Sequence, residues 1–336
     1  MIPEFIYTIM VILLKIAVVI GVTMLHVAYA TYFERKVIGH MQVRLGPMRV
    51  GFHGILQPIA DGIKLFFKED IVPTEADKTV FKIAPIVPVF AALSSLAVIP
   101  FFDGFVIADI NIGLLFILAM SSLGAYGIVM AGWSSNSKYS FLGGLRSSAQ
   151  IISYEVAIGL SLVGVMIMSG SLNLNEIVKA QQQHGYGMFL FPQIIAYFVF
   201  MVAAFAETNR APFDLPEAES ELVAGYFVEY SGMRFALFFA AEYIGMIIMS
   251  SIAVLCFWGG WTLPPLVLDW MPALAVVPGI IWFLLKVYLH IFLFYWVRAS
   301  LPRFRYDHLM SLGWKVLIPL ALANIVITSV VKFLNR

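Results

Sequence analysis

Cysteine and charge are what this 336-residue sequence has least of. Its single cysteine, Cys256, excludes an internal disulfide. It also excludes a cysteine-ligated zinc or iron–sulfur centre built within the chain, because those need several thiolates. Charged residues make up 12% of the sequence, about half the share of a soluble domain. With a formal net charge of +1 there is no basic stripe to neutralise phosphates, which argues against nucleic acid as a partner. A Walker-type phosphate loop and a strand-loaded GxGxxG are both missing. Any flavin, nickel or cluster is therefore expected on another polypeptide.

What the sequence does hold is apolar residues, 61% of the total, in blocks long enough to cross a bilayer at roughly 20 residues per helix. The fold class is an all-α polytopic membrane protein. About eight spans are predicted, over residues 6–30, 83–102, 112–132, 149–170, 188–207, 237–258, 275–297 and 313–333. The N-terminus lacks a basic region and runs straight into the first block, which is read as a retained span. No repeat or linker divides residues 1–336, so one transmembrane domain is expected.

The loops after spans one, three, five and seven carry Arg35, Lys36, Arg44, Lys68, Lys138, Arg146, Arg210, Arg234, Arg298 and Arg303 among others. Lys179 stands alone in the opposite loops. Lys and Arg collect on the cytoplasmic side, so the odd loops are placed there and both termini on the other side. Residues 31–82 and 207–236 give that side most of its polar length, and soluble partners are expected to dock on it.

Residues 52–68 have a helical period, with Phe52, Ile55, Leu56, Ile59, Ile63, Phe66 and Phe67 on one face. Two lysines and an aspartate make the segment too charged to span, and an interfacial amphipathic helix fits. Pro58 is expected to bend it or mark its start. The alternative is a helix packed on a partner protein.

Ionisable groups at membrane depth are costly unless paired or hydrated, so each is a candidate site. Glu155 lies nine residues beyond Arg146, which on a continuous helix is roughly 13 Å deeper. Ser153 and Tyr154 beside it are the expected hydrogen-bond partners. The structural alternative is a carboxylate paired with a basic residue on a neighbouring helix. Lys286 and His290 share a face of span seven, and Lys15 and His26 lie in span one. A lone membrane histidine is more often an interhelical hydrogen-bond partner than a relay, and Lys15 fits a snorkelling side chain.

The exit from span five, Glu207 to Leu222, holds with Glu229 six acids against Arg210 alone. Asp214 can cap a new helix, with Pro216 in its first turn and Glu217 completing a capping box. That leaves Glu219, Glu221 and Glu229 without a capping role. Glu217 and Glu221 would share a face, and closely spaced carboxylates in a partly buried site hold at least one proton near neutral pH. Such a group suits a proton store. The alternative is a solvated acidic loop that docks a basic partner. Glu34, Arg35 and Lys36 close the first span and the Arg44-Leu45-Gly46-Pro47 turn follows; the arginines there fit orientation of a polar ligand head, pairing with the acids, or ordinary positive-inside anchoring.

Taken in order, several segments resemble the quinone-site membrane subunit of respiratory complex I, NADH:quinone oxidoreductase. They are Glu34-Arg35-Lys36, Arg44-Leu45-Gly46-Pro47 through Gln57-Pro58-Ile59-Ala60-Asp61 to Lys68-Glu69, and Gly144-Leu145-Arg146-Ser147-Ser148-Ala149-Gln150 to Glu155. The series continues with Glu207-Thr208-Asn209-Arg210 to Glu221-Leu222, Val228-Glu229-Tyr230, and Arg298-Ala299-Ser300-Leu301-Pro302-Arg303 to Asp307. Together they cover nearly the whole chain.

The resemblance implies eight spans, one strongly tilted, and a tunnel through which a quinone enters from the bilayer. Arg35, Phe52 and Arg298 would line or border it. Glu34, Glu155, Asp214, Glu217, Glu219, Glu221, Glu229 and Glu242 would link quinone chemistry to proton translocation. No cofactor or metal is expected on this chain. Quinone is the implied substrate, with FMN and iron–sulfur clusters on partner subunits. The implied partners are hydrophilic quinone-module subunits on the cytoplasmic side, small and antiporter-like membrane subunits, and lipid. The Lys138-Tyr139 pair leans towards a bacterial plasma membrane over a mitochondrial one. Competing readings are the membrane subunit of a nickel–iron hydrogenase or formate hydrogenlyase, and a stand-alone secondary transporter. The latter usually shows paired repeats and broken helices at the midplane, and neither is visible here.

Overall fold

The computed structural model describes residues 4–183, 185, 187–215 and 222–334. Among these residues the regular structure is helical, and no β-sheet forms. Seven helices are long and apolar enough to cross a bilayer, and an eighth, shorter apolar helix joins them. The all-α polytopic class is therefore the observed one. The helices are α1 (Glu4–Met41), α2 (Gln57–Phe67), α3 (Lys78–Ile83) running into α4 (Ile86–Leu96), α5 (Gly113–Ser134) and α6 (Lys138–Ser169). After them come α7 (Leu174–Gln183), α8 (Ile194–Glu207), α9 (Gly232–Phe257), α10 (Pro265–Trp270), α11 (Gly279–Ser300) and α12 (Tyr306–Leu334).

The helix bounds differ from the apolar blocks in instructive ways. Helix α1 continues past residue 30 to Met41, and α6 begins at Lys138 rather than 149. Polar residues prolong both helices beyond the apolar length. Helix α8 does the opposite. Its 14 residues rise about 21 Å, short of a hydrocarbon core of about 30 Å. The chain after Glu207 therefore turns while still inside the bundle. Irregular backbone at that depth is tolerated only where protein or a cavity surrounds it, and residues 208–210 and 212–215 are indeed buried.

Helices α5 and α6 approach closely through small residues. A Cβ on Gly132 would lie 3.1 Å from the Gly144 Cα, and one on Gly143 would meet the Gly225 Cα at 2.6 Å. Small residues at such crossings let backbones gain van der Waals contact where lipid supplies no hydrophobic drive. Helix α2 is the predicted amphipathic element, but shorter than 52–68. A 3₁₀ turn, Phe52–Gly54, precedes it, and Pro58 marks its first turn, where a missing N–H is harmless. Ile59, Ile63, Phe66 and Phe67 are exposed on it.

Candidate functional site: a charged cluster between two cavities

Four elements frame a chamber of about 990 Å³: the second half of α1, helix α2, the first turns of α9 and the end of α11. Its apolar wall includes Met24, Val27, Ala28, Leu65, Phe66, Leu237, Phe239 and Ala240. Its polar wall is formed by Glu34, Arg35, Gln42, Arg44, Asp61, Tyr243 and Arg298. Arg35 Nη1 reaches Asp61 Oδ2 at 2.9 Å, and Gln57 Nε2 donates to Asp61 Oδ1 at 3.0 Å. That pair ties α2 to α1 across the chamber. Of the three residues expected to line or border a tunnel, Arg35 and Arg298 are in the chamber wall. Phe52 is not: it is 77% exposed, its ring set edge-on against His53 at 4.2 Å.

Glu34 is the centre of the polar wall and only 3% exposed. Tyr243 donates its hydroxyl to Glu34 Oε2 at 2.5 Å, Arg298 Nη1 is bonded to Oε1, and Arg210 Nη1 lies 3.5 Å from the same oxygen. Two guanidiniums and a phenol therefore face one buried carboxylate. The Arg210 guanidinium lies over the Tyr243 ring, 4.2 Å from its centroid, a cation–π contact. Its Nη2 is 3.9 Å from Glu242 Oε2, and Glu242 Oε1 accepts from the Tyr226 hydroxyl at 3.3 Å.

The turn that carries Arg210 is fixed by a buried glutamine. Gln150 on α6 donates to the Ala206 carbonyl at 2.7 Å, the Phe213 carbonyl at 2.8 Å and Asn209 Oδ1 at 3.3 Å. Asn209 takes φ 48°, a left-handed conformation that asparagine tolerates better than most residues. Gln150 alone of the Ser147-Ser148-Ala149-Gln150 stretch thus works as a clamp on the distant Arg210 turn.

Beyond Arg210 lies a second, smaller cavity of about 110 Å³, lined among others by Ser121, Glu207, Thr208, Asn209, Tyr226 and Glu242. Adjacent serines on α5 hold two carboxylates: Ser121 donates to Glu207 in the cavity wall, and Ser122 to Glu155, which does not line it. The two acids are near enough to interact electrostatically. The partners expected for Glu155 are engaged elsewhere. Tyr154 donates to the Leu309 carbonyl at 2.8 Å, and Ser153 to the Ala149 carbonyl at 2.7 Å. Glu155 is held by a neutral hydroxyl on the neighbouring span, which disfavours the reading of it as half of an ion pair.

Asp214 is buried, and its Oδ2 lies 3.1 Å from Arg303 Nη2. Burial pushes its carboxyl above the usual aspartate range, while the Arg303, Arg298 and Arg210 guanidiniums pull the other way. Its side-chain partner is thus on the segment after α11. Glu229 is half-buried in the turn before α9. Glu217, Glu219 and Glu221 lie outside the described residues, as does the capping box expected at Glu217. Glu207 is the acid that sequence reasoning left in the loop and the structure brings to the cavity. Its signal was there: it ends an uninterrupted apolar run, opposite two consecutive serines in mid-span. No group of three or more His, Cys, Asp or Glu that could hold a metal ion occurs among the described residues.

These features define a class: a polytopic helical membrane protein with a large chamber on one side of a buried charge cluster and a small carboxylate cavity on the other. A family model described as NADH dehydrogenase matches residues 14–329. Relatives named as the H subunit of NADH-quinone oxidoreductase align along nearly the whole chain. The one from Paramagnetospirillum magneticum is 53% identical over 98% of this chain and 94% of its own. That from Rhodospirillum rubrum is 58% identical over 90% and 88%, and that from Rickettsia typhi 55% over 98% and 96%. The chain belongs to this family of complex I membrane proteins.

Proposed function

We propose that this chain forms the membrane part of the quinone site of a proton-pumping NADH:quinone oxidoreductase, and couples quinone chemistry to proton movement through its buried carboxylates. The observation that carries the reading is the chamber framed by α1, α2, α9 and α11. Its volume is at the upper end for small-molecule sites. Its apolar wall suits an isoprenoid tail, and Arg35, Arg298 and Glu34 supply the polar end. Phe52 belongs to the rim outside it. Glu34, Asp214, Glu229 and Glu242, with Glu155 and the added Glu207, act as the proton-linked acids. Glu217, Glu219 and Glu221 are assigned to the same set on sequence grounds. The small cavity has enough room and polar lining to take up water between these carboxylates.

By this reading the chain binds no cofactor, and FMN and iron–sulfur clusters reside on hydrophilic partner subunits. Those partners dock on the basic, cytoplasmic end, and small and antiporter-like subunits flank the chain in the bilayer. The whole chain acts as one membrane domain of a bacterial plasma membrane, with both termini on the periplasmic side. The test is a photoreactive quinone analogue applied to the intact complex. Inhibitor-protected labelling of α1, α2 or α9 peptides is expected. Labelling confined to other subunits, with an unchanged quinone KM in Arg35 and Arg298 variants, contradicts the assignment.

A further inference from the structure

Helices α9 and α11 pack together, and one end of each borders the chamber, through Leu237 and Arg298. Beyond their other ends lies a third cavity, of about 360 Å³. From Gly279, which lines that cavity, to Arg298, α11 rises about 28 Å. This nearly matches the ~30 Å hydrocarbon core, so the cavity lies at the opposite boundary of the bilayer from the chamber. Trp261 and Thr262 line it after α9, and Trp282 on α11. Leu268 on α10, with Leu274 and Ala275 in the 3₁₀ turn Pro272–Val276, complete the wall. Among the described residues no charged side chain lines it. Lys286 fixes the Trp261-Thr262 side by donating to the carbonyls of Trp258, Gly260 and Thr262.

Two features identify the occupant. Trp282 Nε1 is shielded from solvent and has no hydrogen-bond partner, which is unfavourable for a donor unless an acceptor comes from outside the chain. Next to the lining residues, Trp270 is 86% exposed and Val276 85%, and Met271 is exposed as well. Apolar side chains so bare, on short turns where a span begins, fit insertion among lipid headgroups, where tryptophan is enriched. The cavity therefore opens towards lipid. We infer that it holds one acyl chain of a phospholipid from the leaflet opposite the chamber, and that an ester carbonyl of this lipid accepts from Trp282 Nε1. Trp282 lies one turn inside Gly279, the level at which hydrocarbon gives way to the polar interface. The uncharged lining takes the chain and leaves the headgroup outside. The inference does not depend on the quinone reading of the chamber.

The test places the intact complex in phosphatidylcholine liposomes that contain phosphatidylcholine with a diazirine on one acyl chain. Irradiation and peptide mapping then locate the adducts. The first half of α1, whose apolar side chains are exposed, reports contact with bulk lipid. Label on residues 261–282 is expected to saturate as the labelled fraction of lipid rises, while label on α1 keeps rising in proportion. Ala275→Phe, which fills the cavity, should lower label on 261–282 at least threefold and leave α1 unchanged. Trp282→Phe keeps a ring but loses the N–H, and should at least double the labelled fraction needed for half-saturation. Label on 261–282 that rises in proportion, as on α1, overturns the inference. So does the absence of adducts there, the result expected where a side chain of a partner subunit fills the cavity. Undiminished label in an assembled Ala275→Phe complex also overturns it, and if that variant does not assemble, the saturation curve of the unaltered complex decides.

Discussion

The two ends of this helix bundle bury polar groups in opposite ways. At the end where α9 finishes and α11 starts, Lys286 donates to the carbonyls of Trp258, Gly260 and Thr262 at 2.6 to 3.0 Å. One turn on, His290 has the Lys286 carbonyl at one ring nitrogen and the Tyr197 hydroxyl at the other. Asn324 donates to Gln193, which donates to Thr328. Lys286, Asn324 and Gln193 each have fixed, neutral acceptors, and the lysine caps the carbonyl end of α9, where a cation is favoured. At the basic end, charges face charges. Glu34, Arg210, Arg298 and Glu242 share partners at unequal distances, and two cavities abut them. Satisfied groups with one arrangement hold helices together, whereas groups with two possible partners beside a cavity can change state. Burial alone does not distinguish glue from mechanism; the identity and number of partners do.

Several substitutions break or sharpen that contrast. The largest effect is expected from Lys286→Met, which strands three buried carbonyls and destabilises the chain by on the order of 3 kcal/mol. Thermal unfolding of the purified complex reads it, and the proton-to-electron ratio of the surviving complex should be normal. Next comes Glu34→Gln, which leaves two guanidiniums facing a neutral amide. Quinone-dependent NADH oxidation should drop about tenfold, equivalent to ~1.4 kcal/mol, with assembly intact. Collapse of assembly instead would make the basic end as structural as the other. Arg35→Ala breaks a half-exposed ion pair worth under about 1 kcal/mol. It should raise the quinone KM about threefold with little change in kcat. Smallest of all, Gln193→Leu removes neutral interhelical hydrogen bonds, and its cost of about 0.6 kcal/mol in melting experiments should leave turnover untouched.

Much of the architecture was legible in the sequence because the bilayer enforces it. Apolar blocks mark the spans, and the charged, periodic stretch ending at Phe67 marks the interfacial helix. The misjudged ends are those where membrane thickness does not decide: α1 and α6 run on as polar helices, and α8 starts late, at Ile194 rather than 188. The site was legible as a list of acids and arginines, not as an arrangement. Glu34 and Arg298 are far apart in sequence, and nothing local says that they meet. Ser122, the partner of Glu155, carries no signal except that it is polar in mid-span. Glu207 and Arg210 group with an acidic loop in the sequence because composition does not show that the chain after α8 stays buried. Lys286 and His290 were legible as buried, but their partners are mostly backbone carbonyls, which every sequence has.

The central claim is that the carboxylates in and beside the small cavity carry protons in step with quinone chemistry. It is tested most directly by the proton-to-electron ratio of the Glu155→Gln complex in sealed proteoliposomes. Glu155 touches neither the chamber nor the charged cluster, so its loss spares quinone access. A ratio reduced at least twofold, with inhibitor-sensitive quinone reduction still running, is the predicted result. A full ratio at full turnover would contradict the account and leave Glu155 as one more satisfied polar group within the bundle.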